Sequence, residues 1–389
     1  MSRKIYLDNS ATTQVDERVV EAMFPCFRQH YGNASSMHIF GQDARRVIDE
    51  ARFEVATLLG ADTREVGFTS GGTESDNWAL QGTWHAAGWH KGAHFVTTRI
   101  EHPAILSTCK AMEEAGAEIT YIPASISGRV NPAAIEEALR NTTLLVSVMH
   151  ANNETGVIQP IREIAEITRR HGVPFHTDAV QSVGKIPVNV EELGVDLLSL
   201  SGHKFHGPKG TGVLYIRKGT NLSSYITGGF QERKRRAGTE NVPAIAGLGA
   251  AARLAVAHLP EFADRIANLR DRLEQNIMSK IGGAHQNGST EKGARLPNIS
   301  NLSFDGLEGE AALIALDLEN VAVSTGSACA SGSADPSHVL TAMGLRPEVV
   351  QGSLRFSLSR FTTEAEIDGA IDILEAIVTR LRRLRRRIR

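Results

Sequence analysis

Six short apolar runs recur along this chain, and most of them stop in a cluster of small and polar residues. They are Val66-Gly-Phe-Thr69, His94-Phe-Val-Thr-Thr98, Thr143-Leu-Leu-Val-Ser-Val-Met149, Pro174-Phe-His-Thr177, Leu197–Leu200 and Gly212-Val-Leu-Tyr-Ile216. Runs of this length read as buried strands. Helical patterns beginning near Thr73 and Pro103, and over Ile161–His171, lie between several of them. Such alternation calls for a mostly parallel sheet covered by helices. A parallel sheet also fixes where a ligand can sit, beyond the carboxyl ends of its strands. Five polar clusters fall at those ends: SGGTESDN (70–77), RIEHPA (99–104), HANNETG (150–156), HTDAVQS (176–182) and SGHKFHG (201–207).

The pattern changes after about residue 255. A long helical stretch, Val242–Ile281, leads to Asn298-Ile-Ser-Asn-Leu-Ser-Phe304, a helix near Glu308–Leu318, the run Ser353-Leu-Arg-Phe-Ser-Leu358 and a last helix. That succession reads as a smaller α+β unit. A length of 389 residues suits two domains. The expected division is a large α/β domain over 16–255 and a small domain of 1–15 and 256–389, which carries Cys329.

Bulk properties exclude several function classes. A net charge of −2 gives no general attraction to nucleic acid or membrane. The opening MSRKIYLDNSATT lacks the apolar stretch of a signal peptide, and no uninterrupted apolar run approaches ~18 residues. Cys26, Cys109 and Cys329 are far apart and match no zinc spacing, so reduced thiols and a cytoplasmic location are expected. Seven arginines in 380–389 read as a helix end running into a solvated tail, with an acidic partner as the alternative.

The clusters carry recognisable chemistry. Ser70-Gly-Gly-Thr73 lies between a strand and a helix, where close backbone approach and a helix N-terminus favour a phosphate; a plain capped turn would look the same. The Walker pattern fails, because Gly207 is followed by Pro208 instead of lysine. Asp178 at a strand end is either an Asx-turn residue or a carboxylate facing a cationic ring nitrogen. Lys204 reaches for solvent or does chemistry. Pyridoxal phosphate (PLP) needs a Schiff-base lysine, an acid opposite its ring nitrogen and an anion site, and Lys204, Asp178 and Gly72-Thr73 supply all three.

With these residues in view, the chain resembles the cysteine desulfurases of the NifS/IscS type. The motifs YLDNSATT, FTSGGTESDN, EHPA, NNETG, HTDAVQSVGK, SGHKFHGPKG, RRAGTEN, GSACASGS and LRFSLSRFTT carry the likeness nearly end to end. The resemblance implies the aspartate aminotransferase-like fold of PLP-dependent transferases, with a mostly parallel seven-stranded sheet and a small α+β domain. It implies Lys204 as the cofactor lysine, Asp178 at the pyridinium, Gln181 at the phenolic oxygen and His102 stacked on the ring as acid/base. Gly72, Thr73, Ser201 and His203 would hold the phosphate, with Thr239 reaching in from the other subunit of a homodimer. Asn153 and Arg355 would hold the substrate carboxylate, and Cys329 would be the nucleophile that takes sulfur from L-cysteine. The implied acceptor is an iron–sulfur scaffold protein of NifU/IscU type, and transfer would bring Cys329 against the growing cluster. Two departures stand out: Asn33-Ala34-Ser35-Ser36 where the family has Asn-Pro-Ser-Ser, and Ser359 where it has glycine.

Other readings compete. Small residues around Cys329 suit a loop that carries sulfur, whereas Cys26 and Cys109 read as packing thiols. His203 and His206 form an H-x-x-H pair without a third metal ligand. Arg355 is a surface strand residue, part of a structural ion pair or, since Leu354 and Phe356 beside it point to a partly buried strand, a partner for a substrate carboxylate. Selenocysteine lyase or another PLP lyase is the alternative enzyme. An aminotransferase leaves Cys329 without a task, and a non-catalytic regulator lacks a winged-helix extension.

Overall fold

The computed structural model describes residues 4–325 and 336–388. The chain runs β1 (Ile5–Tyr6), α1 (Glu17–Arg28), α2 (Ile39–Leu59), β2 (Val66–Thr69), α3 (Gly72–Ala86), β3 (His94–Thr98), α4 (Pro103–Glu114), β4 (Glu118–Ile122), α5 (Pro132–Ala138), β5 (Thr143–Ser147) and α6 (Ile161–Arg170). It continues through β6 (Phe175–Asp178), α7 (Val190–Leu193), β7 (Leu197–Ser201), β8 (Gly212–Ile216), α8 (Val242–Lys280), β9 (Ala284–Gln286) and β10 (Ile299–Phe304). The last elements are α9 (Gly309–Leu318), β11 (Val321–Ala322), α10 (His338–Ala342), α11 (Pro347–Gln351), β12 (Ser353–Ser357) and α12 (Glu364–Ile388).

Seven strands form one sheet in the order β2-β8-β7-β6-β5-β3-β4. Strand β8 pairs antiparallel with both neighbours, and every other pairing is parallel. It follows that β2, β3, β5, β6 and β7 all point the same way, and their five polar clusters meet along one edge. Successive side chains on a strand face opposite sides. Val96, Val146, Leu198 and Val213 accordingly join one apolar cluster, while their neighbours Phe95, Leu145, Leu197 and Leu214 join another with Trp78 and Trp84. Burial on both faces explains why these strands read as continuous apolar runs.

The mostly parallel sheet expected from the alternation is present. Strand β4 was not legible in the sequence: it is an edge strand, and Glu118 at its start is exposed. The remaining strands make a three-stranded antiparallel sheet, β12-β10-β9, and a parallel pair, β1-β11. A separate apolar cluster joins Leu7 to Ile266, Leu273, Phe304, Leu354 and Phe356. Helix α8 spans both regions, with Leu248 and Ala251 in the cluster beside the large sheet and Ile266 and Leu273 in the other.

Helix α8 is long and apolar enough, by length and composition, to cross a membrane, and 56% of its most apolar window is buried within the fold. The arginine-rich end is not simply a solvated tail. It continues α12, and Arg382 donates to the carbonyls of Asp305 (2.9 Å) and Gly282 (2.7 Å).

Candidate active site

The site begins where β7 ends. A single tight turn, Gly202–Lys204, follows Ser201 and aims Lys204 at the N-terminal segment. Lys204 Nζ donates to the carbonyls of Ser10 (2.6 Å) and Ala11 (2.9 Å). Thr13 fixes the same turn, its N–H and Oγ1 both donating to His203 O at 2.9 Å. His203 Nδ1 lies 3.1 Å from Thr12 Oγ1, and His206 Nδ1 donates to Gln14 O at 2.8 Å. Both histidines of the H-x-x-H pair therefore serve the N-terminal segment. Among the described residues, no group of three metal-ligating side chains gathers anywhere.

Asp178 closes β6 and accepts the Val180 N–H at 2.9 Å, the Asx-turn bond its position suggested. Burial pushes its carboxyl up to about 6, opposed by that N–H and by the Lys204 charge. Two further carboxyls are buried close by. Asp76 on α3 is held well above the usual carboxylate range, by burial and then by the Asp178 charge. Glu101 is pushed up to about 8 by burial, against bonds from Met149 N–H (2.9 Å) and Thr98 Oγ1 (2.7 Å). Like charges this close cannot all ionise. Burial raises the proton affinity of all three, and of the three Asp178 is the one where the Lys204 charge opposes the rise. His176 Nε2 lies 3.7 Å from Asp76 Oδ1, and burial holds that ring down to about 3, between Ser147 and Ser199 hydroxyls.

His102 is the N-cap of α4, with Pro103 in the first turn. Its Nδ1 accepts the Ala104 N–H at 3.1 Å, so the neutral ring carries its proton on Nε2. Burial, then the Lys204 and His338 charges, lower its proton affinity to about 4, and the ring is neutral at neutral pH.

The anion cradle is built from backbone. Gly71, at φ 155°, caps α3 without any side-chain bond, which leaves the first amides of a 15-residue helix open. A Cβ on Gly72 would sit 2.7 Å from Val180 Cγ2, and one on Gly212 would sit 2.7 Å from Gly71 Cα. Only glycine permits this approach. Ser201 is buried beside the cradle and Thr73 is exposed at its mouth.

Arg355 on β12 is 1% exposed. Its Nη2 donates to Asp8 Oδ1 at 2.8 Å and its Nη1 to Asn153 O at 3.0 Å. The ion-pair reading of Arg355 is thus correct in the structure, yet its Nε and Asn153 Oδ1 are both buried without a partner. Among the described residues these two atoms have no partner, on residues that meet through Arg355 Nη1 and Asn153 O, and buried unsatisfied polar atoms of this kind are places for a ligand to bond.

The aminotransferase class-V family model matches residues 5–369. The IscS cysteine desulfurase of Dictyoglomus turgidum is 49% identical over 382 residues, covering 98% of this chain and 96% of the relative. The chain belongs to the cysteine desulfurase branch of the class-V aminotransferases. A solved NifS-like protein superposes with a TM-score of 0.91 at 40% identity, over 97% of this chain and 100% of that one. The structure of SspA in complex with cysteine matches with a TM-score of 0.81 at 35% identity, over 92% and 100%.

Cysteine desulfurases of this family are PLP-dependent, and the residues present suit the group. A glycine cradle at a helix N-terminus, the buried Asp178 carboxyl and a half-buried lysine answer its phosphate, ring nitrogen and aldehyde. The structure brings Lys204, Gln181 and His203 around the N-terminal segment, with Asp178 at the end of β6, three residues before Gln181. Thr239 lies apart in an exposed stretch, and Cys329 falls outside the described residues. Sequence reasoning passed over Asp8, the Ser10 and Ala11 carbonyls, the buried Asp76 and Glu101, and a buried lysine, Lys185. Asp8 and Ser10 stood in the quoted YLDNSATT, but no spacing rule ties them to residues some 190 or 350 positions away. Both departures from the family pattern are accommodated. Ser359 has no positive φ, and its hydroxyl accepts the Phe361 N–H (3.2 Å); Asn33 Oδ1 caps Ser35 N–H (2.9 Å) beside Ala34.

Proposed function

We propose that this protein is a PLP-dependent cysteine desulfurase that converts L-cysteine to L-alanine and carries the sulfur on Cys329. The observation that carries the reading is the buried Asp178 at the end of β6, on the strand edge where Lys204 follows β7 and the Gly71-Gly72 cradle opens. Bound PLP supplies an electron sink that weakens the bonds at the substrate's Cα. Asp178 would hold the ring nitrogen in its cationic form, Gln181 would donate to the phenolic oxygen, and the neutral His102 ring would stack on the cofactor. Gly72, Thr73, Ser201 and His203 would bind the phosphate, with Thr239 of a second copy. Asn153 and Arg355 take the substrate carboxylate, and the Lys204 amine moves the Cα proton. When the Cys329 thiolate attacks the substrate sulfur, an S–S bond forms as the Cβ–S bond breaks. The carbon keeps the electron pair and takes a proton, which leaves alanine and a protein persulfide.

The homodimer reading draws support from apolar side chains on α1, α2 and the segment between them. Phe24, Phe27, Tyr31, Met37, Phe40 and Phe53 are all exposed, Met37 by 92%, and Phe53 lines a groove of about 900 Å³. Apolar patches of this kind mark interaction surfaces. The exposed position of Thr239 suits a residue used by a partner copy. Sulfur delivery to an iron–sulfur scaffold protein of NifU/IscU type, in the cytoplasm, completes the reading, and the free thiols of Cys26 and Cys109 fit a reducing compartment.

The test is to incubate the holoprotein with L-cysteine and quantify alanine and protein-bound sulfur, with L-selenocysteine in a parallel arm. Equimolar alanine and persulfide are expected. No alanine from L-cysteine, with turnover of L-selenocysteine alone, overturns the assignment in favour of a selenocysteine lyase.

A further inference from the structure

Lys185 lies in the turn after β6 and is 4% exposed. Its Nζ donates to Gln181 Oε1 at 3.0 Å, and Gln181, 5% exposed, donates from Nε2 to Ser10 O at 3.0 Å. Ser10 O is also the acceptor for Lys204 Nζ at 2.6 Å. One chain of hydrogen bonds therefore links two buried or half-buried lysines through the Gln181 amide.

We propose that Lys185 is a positioning residue for PLP: it pins the Gln181 amide so that the NH₂ end, not the oxygen, faces the cofactor's phenolic oxygen. An amide can be turned end for end at little steric cost, and only its hydrogen-bond partners decide which end points where. Lys185 offers donors to Oε1, and Ser10 O offers an acceptor to Nε2, so both ends enforce one orientation. A buried ammonium is an expensive way to fill a turn, and an apolar side chain would pack there at lower cost. Burial, then the Lys204 and Arg355 charges, lower the proton affinity of Lys185 to about 7. The neutral amine still has N–H donors, so the bond to Gln181 survives in either state. The proposal rests on the reading that Gln181 meets the phenolic oxygen.

The test uses purified holoprotein and reads the bound cofactor's absorption at fixed pH. The ratio of its long-wavelength to short-wavelength band reports whether the phenolic oxygen is deprotonated or protonated, independently of turnover. Loss of one neutral hydrogen bond should shift that ratio toward the short-wavelength band about 2- to 10-fold in Lys185→Met. Lys185→Arg, which keeps a donor, should restore the wild-type ratio. Lys185→Gln, shorter and able to present either amide end, should fall between, and serves if Lys185→Met does not fold. Gln181→Met should shift the ratio at least as far, and adding Lys185→Met to it should change nothing more. A wild-type ratio in the Lys185→Met and Lys185→Gln proteins, with Gln181→Met shifted, overturns the positioning role alone. A wild-type ratio in Gln181→Met overturns the Gln181 reading and the proposal with it.

Discussion

Asp8 and Arg355 are 347 residues apart in sequence, and their side chains meet at 2.8 Å beneath the strand edge. The pair closes the N-terminal segment onto β12, where Asp8 also bridges to Ser357. It leaves the Arg355 guanidinium fixed by Asp8 on one side and Asn153 O on the other, with Nε still unpaired.

A guanidinium held this way presents a planar fork that an ammonium cannot copy. Arg355→Lys should bind PLP with an unchanged spectrum and raise KM for L-cysteine about 10- to 100-fold, the worth of a charge-assisted hydrogen bond. Steady-state kinetics with measured cofactor content check this; an unchanged KM removes Arg355 from the substrate site.

Lys204→Ala should abolish the visible band of the purified protein. Lys185 is buried and committed to Gln181, so it should not substitute. Borohydride reduction followed by peptide mass mapping should find the cofactor on Lys204 in the wild type and on no lysine in the variant. Cofactor trapped on Lys185 would reverse the two lysines' roles.

Glu154 gives a pH signature. It is buried, accepts from Ser337 Oγ, and burial pushes its carboxyl from 4.5 up to about 7, with the Ser337 bond and the Arg355 charge opposing. Between these values the folded protein holds a proton that the unfolded chain has lost. Its contribution to stability is therefore full below about pH 4.5 and is lost as pH rises through about 7. Glu154→Gln removes this dependence. The stability of wild type relative to the variant should fall by about 3 kcal/mol between pH 4.5 and 8 in denaturant titrations. An equal difference at both pH values would show that Glu154 ionises normally.

Cys329→Ser should bind PLP and L-cysteine but accumulate no persulfide, because a serine hydroxyl cannot carry the sulfur. Cys109→Ser should retain most activity: its thiol is fully buried and pushed up to about 12 by burial and then by nearby glutamates. Mass mapping after a brief cysteine pulse locates the added sulfur. Label on Cys26 or Cys109, with Cys329 unmodified, would move the nucleophile.

The sequence by itself determined the sheet and its reactive edge. Runs such as Leu197–Leu200 are apolar on both faces because parallel strands are covered twice, and the clusters that end them are polar because ligands sit there. Periodicity and punctuation are local, so Gly72, Asp178 and Lys204 could be read as a set before their geometry was known. The tertiary structure decided everything that depends on which distant groups share a small volume. Arg355 might have faced solvent, a carboxylate ligand or a protein carboxylate; only folding put Asp8 beside it. Asp76 and Glu101 look like ordinary acids in SGGTESDN and RIEHPA, and their proton affinities rise only because folding buries them near Asp178. Lys185 looks like a surface lysine following a glycine, and only the closed turn commits it to Gln181. Charge state and hydrogen-bond direction are properties of an environment assembled from the whole chain.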